Sequence, residues 1–557
     1  MNMLVTRRSL VLAASLSAAP LPAWARDFSS GAFTHGVASG DPLARSVILW
    51  TRYLPADGGD GRIGWEIAED EAFTRIARRG RTQARATNDY CVKIDARGLQ
   101  PGRAYFYRFL AGSGPSVTGR TLTAPDESAD NLRFAFFSCS NKRFGYFHAY
   151  AHAAAREDID ITLHLGDYIY EYPVNVYPSA ADSIADRWIE PAGETVTYAE
   201  YCARYASYHD DADLQTLRRL KPMSVIWDDH ELANNAYMTG AQNHQPAEGD
   251  WAARAAAASK AFFDWMPIRL PERGGLRIYR SLDWGDLARV ILLDTRLIGR
   301  PVEFDYNALS AAAAEGPQAA LAAAQTFRQQ LNDPARTRMG AAQEAWFAEE
   351  IAQSKARGQA WQVIAQQVVM AEQFAASGLS RLLGPEASEG TRRYVAGGEQ
   401  IGQLGLPWNL DSWGGYPSAR ARLLQACAAH GANALVLSGD SHNCWVSNIA
   451  ADGTGAGGRL AAVEFAGGSV TSAGFESSLT AAQPGERESV MRAGNPNLAW
   501  CDVTHRGYGV VKLTRARCEA EWVAFDTVRD SANRAATITR LTSEASAENG
   551  PSAWSIG

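Results

Sequence analysis

Beyond residue 25 the chain contains no apolar stretch of the ~18 residues that a membrane-spanning helix needs. It has no long basic run, and its formal net charge is −7. Nucleic-acid-specific binding built on bulk charge is therefore excluded. Anionic substrates are not, because a local metal site overrides a mildly acidic surface. No Cys-x-x-Cys pair occurs among the seven cysteines, which excludes a zinc ribbon. An odd count leaves at least one thiol unpaired in a monomer. Cys501 and Cys518 flank a predicted hairpin and either form a bridge or stay as two buried free thiols. No internal repeat is visible, so solenoids and propellers are excluded.

What is present begins with an export signal. Thr6-Arg7-Arg8-Ser9-Leu10 leads into an apolar Ala/Leu-rich run, and Ala23-Trp24-Ala25 supplies a small-x-small cleavage site. Residues 1–25 read as a signal peptide, and the paired arginines point to the twin-arginine machinery as an export partner. The expected location is periplasmic or secreted.

A length of 557 residues with 46% hydrophobic content implies at least two domains. Residues 26–126 read as short strands broken by Gly, Pro and Asp. A Leu99-Gln100-Pro101-Gly102 turn enters Tyr105-Phe106-Tyr107. This predicts a small all-β, fibronectin-III-like sandwich whose tyrosine locks a corner. Over residues 127–530, apolar strands alternate with helical stretches, the pattern of a layered α/β domain. The predicted strands are Leu132–Ser138, Ile159–Leu165, Met223–Trp227, Ala288–Leu293, Trp361–Val369 and Ala432–Ser438. Long insertions at Pro173–Tyr208, Gly299–Arg338 and Ser377–Trp413 predict lids or extra helices. Residues 531–557 read as a C-terminal tail, Ser/Ala/Glu/Gly-rich from Ser543 and expected to be mobile.

Ligands of layered α/β folds gather at the C-terminal ends of strands. Four predicted strands run into metal-ligating types there: Cys139-Ser140-Asn141, Gly166-Asp167-x-x-Tyr170, Asp228-Asp229-His230-Glu231 and Gly439-Asp440-Ser441-His442. A fifth ends in Asp294-Thr295-Arg296. Any one of these has a structural explanation: a core thiol, a packed tyrosine, a capping aspartate. Four on one edge are hard to explain by packing. Cys139, Asp167 and Tyr170 around one ion, with His442, carry enough negative charge to favour Fe(III); zinc has less use for a phenolate. Asp229 and Asp440, with Asp167 bridging, suit a hard cation such as Ca(II), Mg or Mn. A dinuclear centre of this kind serves phosphate ester hydrolysis.

These segments resemble the metallophosphoesterase superfamily, and their departures from its common motifs run together. Cys139 stands where Asp-x-His would begin, Tyr170 replaces an Asp, Asp229 an Asn and Asp440 a His. That combination, with the Phe33–Pro42 opening, is similar to the PhoD branch of alkaline phosphatases and phosphodiesterases. The resemblance implies a metallophosphoesterase β-sandwich flanked by helices. It implies Fe(III) on Cys139, Asp167, Tyr170 and His442, and Ca(II) near Asp167, Asp229 and Asp440, with a Zn/Mn/Mg dinuclear centre as the alternative.

The expected reaction is hydrolysis of phosphate mono- or diesters by an activated water. His230 is the candidate for contacting the phosphate or leaving oxygen. Arg143 and Arg296 are candidates for nonbridging oxygens, since arginine suits forked phosphate contacts. Asn141 is a candidate hydrogen-bond donor, and Asn235 another. The competing readings are a phospholipase or wall-polymer phosphodiesterase on the same fold, and a non-catalytic phosphate- or wall-binding protein.

Overall fold

Short runs of Val, Ile, Leu and Phe set the frame of the larger domain. Trp361–Ala365 and Ala434–Ser438 are buried at every position, as central parallel strands covered on both faces must be. The computed structural model describes residue 24 and residues 27–271, 275–451, 459–534 and 536–557. The segment read as a signal peptide, residues 1–25, lies outside the described residues apart from Trp24.

Residues 31–122 form a β-sandwich. One sheet has the order Gly31–Leu43, Ser46–Pro55, Cys91–Arg97. The other is built on Ile76–Ala84, Gly61–Ala68 and Ala104–Ala111, with short additions at Gly114–Pro115 and Gly119–Leu122. Val47, Leu49, Ile63, Ile67, Tyr107 and Phe109 fill the space between. The predicted corner is present: the Tyr105 hydroxyl accepts the Gln100 backbone N–H at 2.9 Å. The sandwich is pinned to the larger domain by Trp50 Nε1 donating to Asp264 O at 2.8 Å and by Arg280 pairing with the buried Asp41 at 2.8 Å.

The larger domain stacks two seven-stranded sheets. The first runs Met223–Val225, Ile161–His164, Leu132–Phe137, Arg506–Leu513, Arg517–Phe525, Ala536–Glu544, Ser555–Ile556; its first three strands are parallel. The second contains a parallel run of Ala288–Leu292, Trp361–Ala365, Ala434–Ser438 and Leu460–Gly467. Phe136 and Phe465 meet edge-to-face at 5.0 Å between the sheets. Helices cover the outer faces. Phe347 and Ile351 of Gly340–Ala356 and Leu423 of Pro417–Ala429 pack on Ile364 and Val436. The fold is thus the expected layered α/β domain behind an all-β one. The Ala-rich insertion supplies two helices, Asn307–Glu315 and Pro317–Leu331.

One expectation is corrected and one open choice is resolved. The tail from Ser543 is docked: Ser555–Ile556 pairs with Leu541–Thr542, Leu541 is fully buried, and Trp554 Nε1 donates to Glu464 O at 3.0 Å. Its polar composition hid two anchoring apolar side chains. Of the two outcomes open for Cys501 and Cys518, the structure has the two buried free thiols and not the bridge. The two lie on strands of different sheets, and all seven cysteines are free and buried.

Candidate metal centre

The parallel strands of both sheets point their C-terminal ends at one place. Leu132–Phe137 delivers Cys139, Ile161–His164 delivers Asp167, Met223–Val225 delivers Asp228 and Asp229, and Ala434–Ser438 delivers Asp440 and His442. The turns are sharp. Cys139, Asp167, Asn235, Asp440 and His442 all have left-handed backbone, with φ of 59°, 53°, 54°, 62° and 60°. Non-glycine residues pay strain there, and such residues cluster at functional sites. Gly166 has φ 109°, and a Cβ on it would stand 2.4 Å from the Asp228 backbone nitrogen. Only glycine lets these two strand ends approach so closely.

Three ligand sets result, each with its atoms within 4.8 Å of one another: Cys139, Asp167 and His442; Asp167, Asp229 and His230; Asp228, Asp229 and Asp440. Asp167 belongs to two of them. The Tyr170 hydroxyl lies 3.2 Å from Asp167 Oδ2 and 3.3 Å from His442 Nε2. Every residue expected as a metal ligand therefore sits in one buried cluster. Asp228, to which no metal role was assigned from sequence, sits there too. Nδ1 of His442 is 2.8 Å from Ala473 O, which makes Nδ1 the donor and leaves Nε2 a lone pair facing the cluster.

The cluster fits a cation. Oδ1 of Asp167 and Oδ1 of Asp229 are buried without a hydrogen-bond donor. For Asp229 the neighbouring cation is Arg296 Nη2 at 3.4 Å, an ion pair but not a hydrogen bond. A buried acceptor left unmatched costs about 1–3 kcal/mol. Two such oxygens beside a thiol, a phenol and an imidazole lone pair suit one hard and one softer ion.

The electrostatics say the same. Burial, reinforced by Asp167, pushes the Cys139 thiol and the Tyr170 phenol well above their ordinary values. Burial raises the Asp167 carboxyl strongly, and lifts Asp228 to about 8 and Asp440 to about 7, with Arg296 opposing the last two shifts. Burial pulls His442 down to about 4, so it is a neutral imidazole near neutrality. Burial opposes charge on His230, yet Asp229, Glu171 and Asp167 together hold its pKa well above the usual histidine value. Against burial, Arg296 and His230 hold the Asp229 carboxyl below its ordinary value. Cys139, Tyr170, Asp167 and Asp228 favour their protonated forms, and a cation would let them ionise.

Two glutamates that sequence reasoning did not assign hold the cluster. Glu171 Oε2 lies 2.7 Å from His230 Nδ1, and its Oε1 accepts Asn234 N–H at 2.7 Å. Glu231 accepts three backbone N–H groups: Asp167 at 3.0 Å, Tyr168 at 2.5 Å and Asp228 at 2.7 Å. Each directly follows a residue singled out as a candidate, and a carboxylate at a buried strand end was the signal available.

The remaining candidates divide. His230 packs against the Tyr170 ring, centroids 4.3 Å apart and tilted by 33°, with its Nε2 free of protein partners among the described residues. Asn141 Nδ2 donates to Tyr177 O at 3.3 Å, and its Oδ1 accepts the Arg143 N–H. Arg143 is held loosely, by Ser183 Oγ at 3.3 Å and Asn175 Oδ1 at 3.4 Å. Asn235 contributes its backbone N–H to Asp229 Oδ2 at 2.6 Å. Arg296 corrects an expectation. It is fully buried and committed to carboxylates: Asp228, both oxygens of Asp411 at 2.7 and 2.8 Å, and Asp440 at 3.1 Å. No donor remains for a substrate phosphate, because Asp411, far away in sequence, takes the outer edge of the guanidinium.

A family profile described as PhoD-like phosphatase matches residues 134–522, and one described as PhoD-like phosphatase, N-terminal domain, matches residues 17–125. Alkaline phosphatase D of Bacillus subtilis (strain 168) is 32% identical over 526 residues, 92% of this chain and 81% of the relative. A solved structure of PhoD superposes with a TM-score of 0.76 at 29% identity, covering 95% of this chain and 93% of that one.

Proposed function

Because the chain belongs to the PhoD-like phosphatase family and is a phosphoester hydrolase, we propose that it is an exported, metal-dependent hydrolase of phosphate mono- and diesters. The observation that carries metal dependence is the approach of a thiol, a carboxylate and an imidazole from three strand ends to within 4.8 Å. Cys139, Asp167, Tyr170 and His442 would hold Fe(III). Asp167, Asp229 and Asp440 would hold Ca(II). Together such ions supply Lewis-acid polarisation of a phosphoryl oxygen and a more acidic water.

The chain's own residues do the rest. Glu171 fixes the His230 ring by accepting its Nδ1–H, at 2.7 Å, which turns Nε2 toward the substrate, where it carries a proton in the imidazolium form. The Glu171 carboxylate stabilises the charge that this proton adds to the ring. His230 then donates to the leaving alkoxide oxygen as the ester P–O bond breaks. Arg143, with weak protein contacts, is free to turn its guanidinium to a nonbridging oxygen, and Asn141 orients its backbone. The Arg7-Arg8 signal supports twin-arginine export to the periplasm or exterior, a route for a chain that folds before translocation. Among the described residues no helix is long and apolar enough to cross a membrane.

The test combines nitrophenyl phosphate and bis-nitrophenyl phosphate hydrolysis, with and without chelator, with elemental analysis and a visible spectrum. Hydrolysis abolished by chelator, with iron, calcium and a phenolate-to-iron absorption band, is the expected result. A colourless protein holding two zinc ions overturns the ligand assignment.

A further inference from the structure

The N-terminal sandwich does not close on every side. The edge strand Ile76–Ala84 of one sheet lies beside the edge strand Cys91–Arg97 of the other. Between them runs a groove of about 560 Å³, lined by Arg62, Arg81, Arg85 and Lys93, with Asp27 as the acid in the lining. Arg78 and Arg79 extend the charge along the same strand.

All five arginines are exposed. Elsewhere in this domain Arg52, Arg75 and Arg108 pair with Asp89, Glu69 and Glu66. These five pair with no carboxylate among the described residues; their contacts are neutral. Arg78 donates to Ala77 O and Gly98 O, Arg81 to Trp24 O and Arg85 to Gln83 Oε1, while Arg79 lies over the Trp24 ring at 5.3 Å. Residues 75–85 contain five arginines and no acid in a chain of net charge −7. A solvated edge guarded against strand pairing needs a charge or two. A concave row of unpaired guanidiniums is a receptor for anions, since guanidinium binds oxyanions in a forked geometry. Arg79 and Arg81 alternate along a strand, which spaces them ~7 Å apart, a spacing that meets successive anions on an extended polymer better than one small ion.

We propose that this groove binds an extended polyanion, a polymer with a phosphate or similar fixed anion at each repeat. The site lies in a different domain from the metal centre and shares no residue with it. The inference rests on the arginines alone and stands apart from the ester chemistry proposed above.

The test uses the purified full-length protein and the triple variant Arg62→Gln, Arg81→Gln, Arg85→Gln, whose side chains are exposed and outside the hydrolytic machinery. Binding of sodium polyphosphate is measured by calorimetry across a salt series, with inorganic phosphate and phosphatidylglycerol vesicles in parallel. Each oxyanion contact is worth about fivefold near 0.1 M salt, so the variant should bind polyphosphate about 100-fold more weakly and show a flatter salt slope. Its hydrolysis of nitrophenyl phosphate should be unchanged. Equal polyphosphate affinity in both proteins overturns the proposal. So does wild-type preference for vesicles over the polymer, which would make the surface a membrane dock. So does a variant that self-associates while keeping its polymer affinity, which would leave the arginines as edge guards. If the triple variant fails to fold, the wild-type salt series decides alone, and binding indifferent to salt overturns the proposal.

Discussion

Replacing Glu231 by Gln changes one oxygen for an NH2 group and nothing else in size. The carboxylate it removes accepts the backbone N–H groups of Asp167, Tyr168 and Asp228. Oε2 serves Asp167 and Asp228, while Oε1 serves Tyr168. A glutamine has one acceptor oxygen. Whichever way its amide turns, one or two buried N–H groups lose their partner and face another donor. At about 1–3 kcal/mol for each orphan, the loss is about 3 kcal/mol. Because the brace ties two strand ends, the loss falls on the turns that carry Asp167 and Asp229. The expected result is a lower denaturant midpoint with an unchanged m-value, and fewer metal ions per chain by elemental analysis. Glu231→Asp keeps both acceptors on a shorter stem and should fall between. A Gln variant with the wild-type midpoint and full metal content would refute the idea that Glu231 joins the two turns.

Other predictions address single atoms. His230→Ala should retain metal while turnover falls by at least ~100-fold, the scale of a lost proton donor; full activity would remove His230 from the reaction. Tyr170→Phe should lose a visible phenolate-to-iron band while keeping iron bound through the other ligands, and a band of unchanged intensity would exclude Tyr170. Asp502 is held down to about 2: burial opposes its charge, but His505 and Trp522 bond the carboxylate and prevail. A depressed carboxyl stabilises the fold above its unfolded pKa and loses that contribution as pH falls through the folded value. Asp502 should therefore contribute about 2 kcal/mol above pH ~4 that disappears toward pH ~2. Asp502→Asn should flatten the acid limb of a stability–pH curve, and an identical limb would count against it.

The apolar strands were legible because parallel strands buried on both faces must be continuously hydrophobic. Their ends were legible because packing explains one ligand-bearing strand end but not four on the same edge. This is why Cys139, Asp167, Asp229 and Asp440 could be grouped from sequence. What could not be read was pairing across the fold. Arg296 looked like a phosphate ligand because its partner Asp411 lies in a long insertion with no motif. Glu171 and Glu231 stood inside recognisable segments, but their hydrogen bonds to distant backbone have no sequence signature. Residues 543–557 looked mobile by composition, yet Trp554, the pairing of Ser555–Ile556 and the bonds between Ser546 and Asn433 dock them. The arginine edge escaped notice because its charges are interleaved along a strand rather than contiguous.

Arg296 has one more consequence. Its guanidinium joins Asp228, Asp229, Asp411 and Asp440, drawn from three separate stretches of chain. A counter-charge that is part of the polypeptide needs no delivery. The acidic walls can close around it without any further cation, so the site carries its own neutralising partner within the fold.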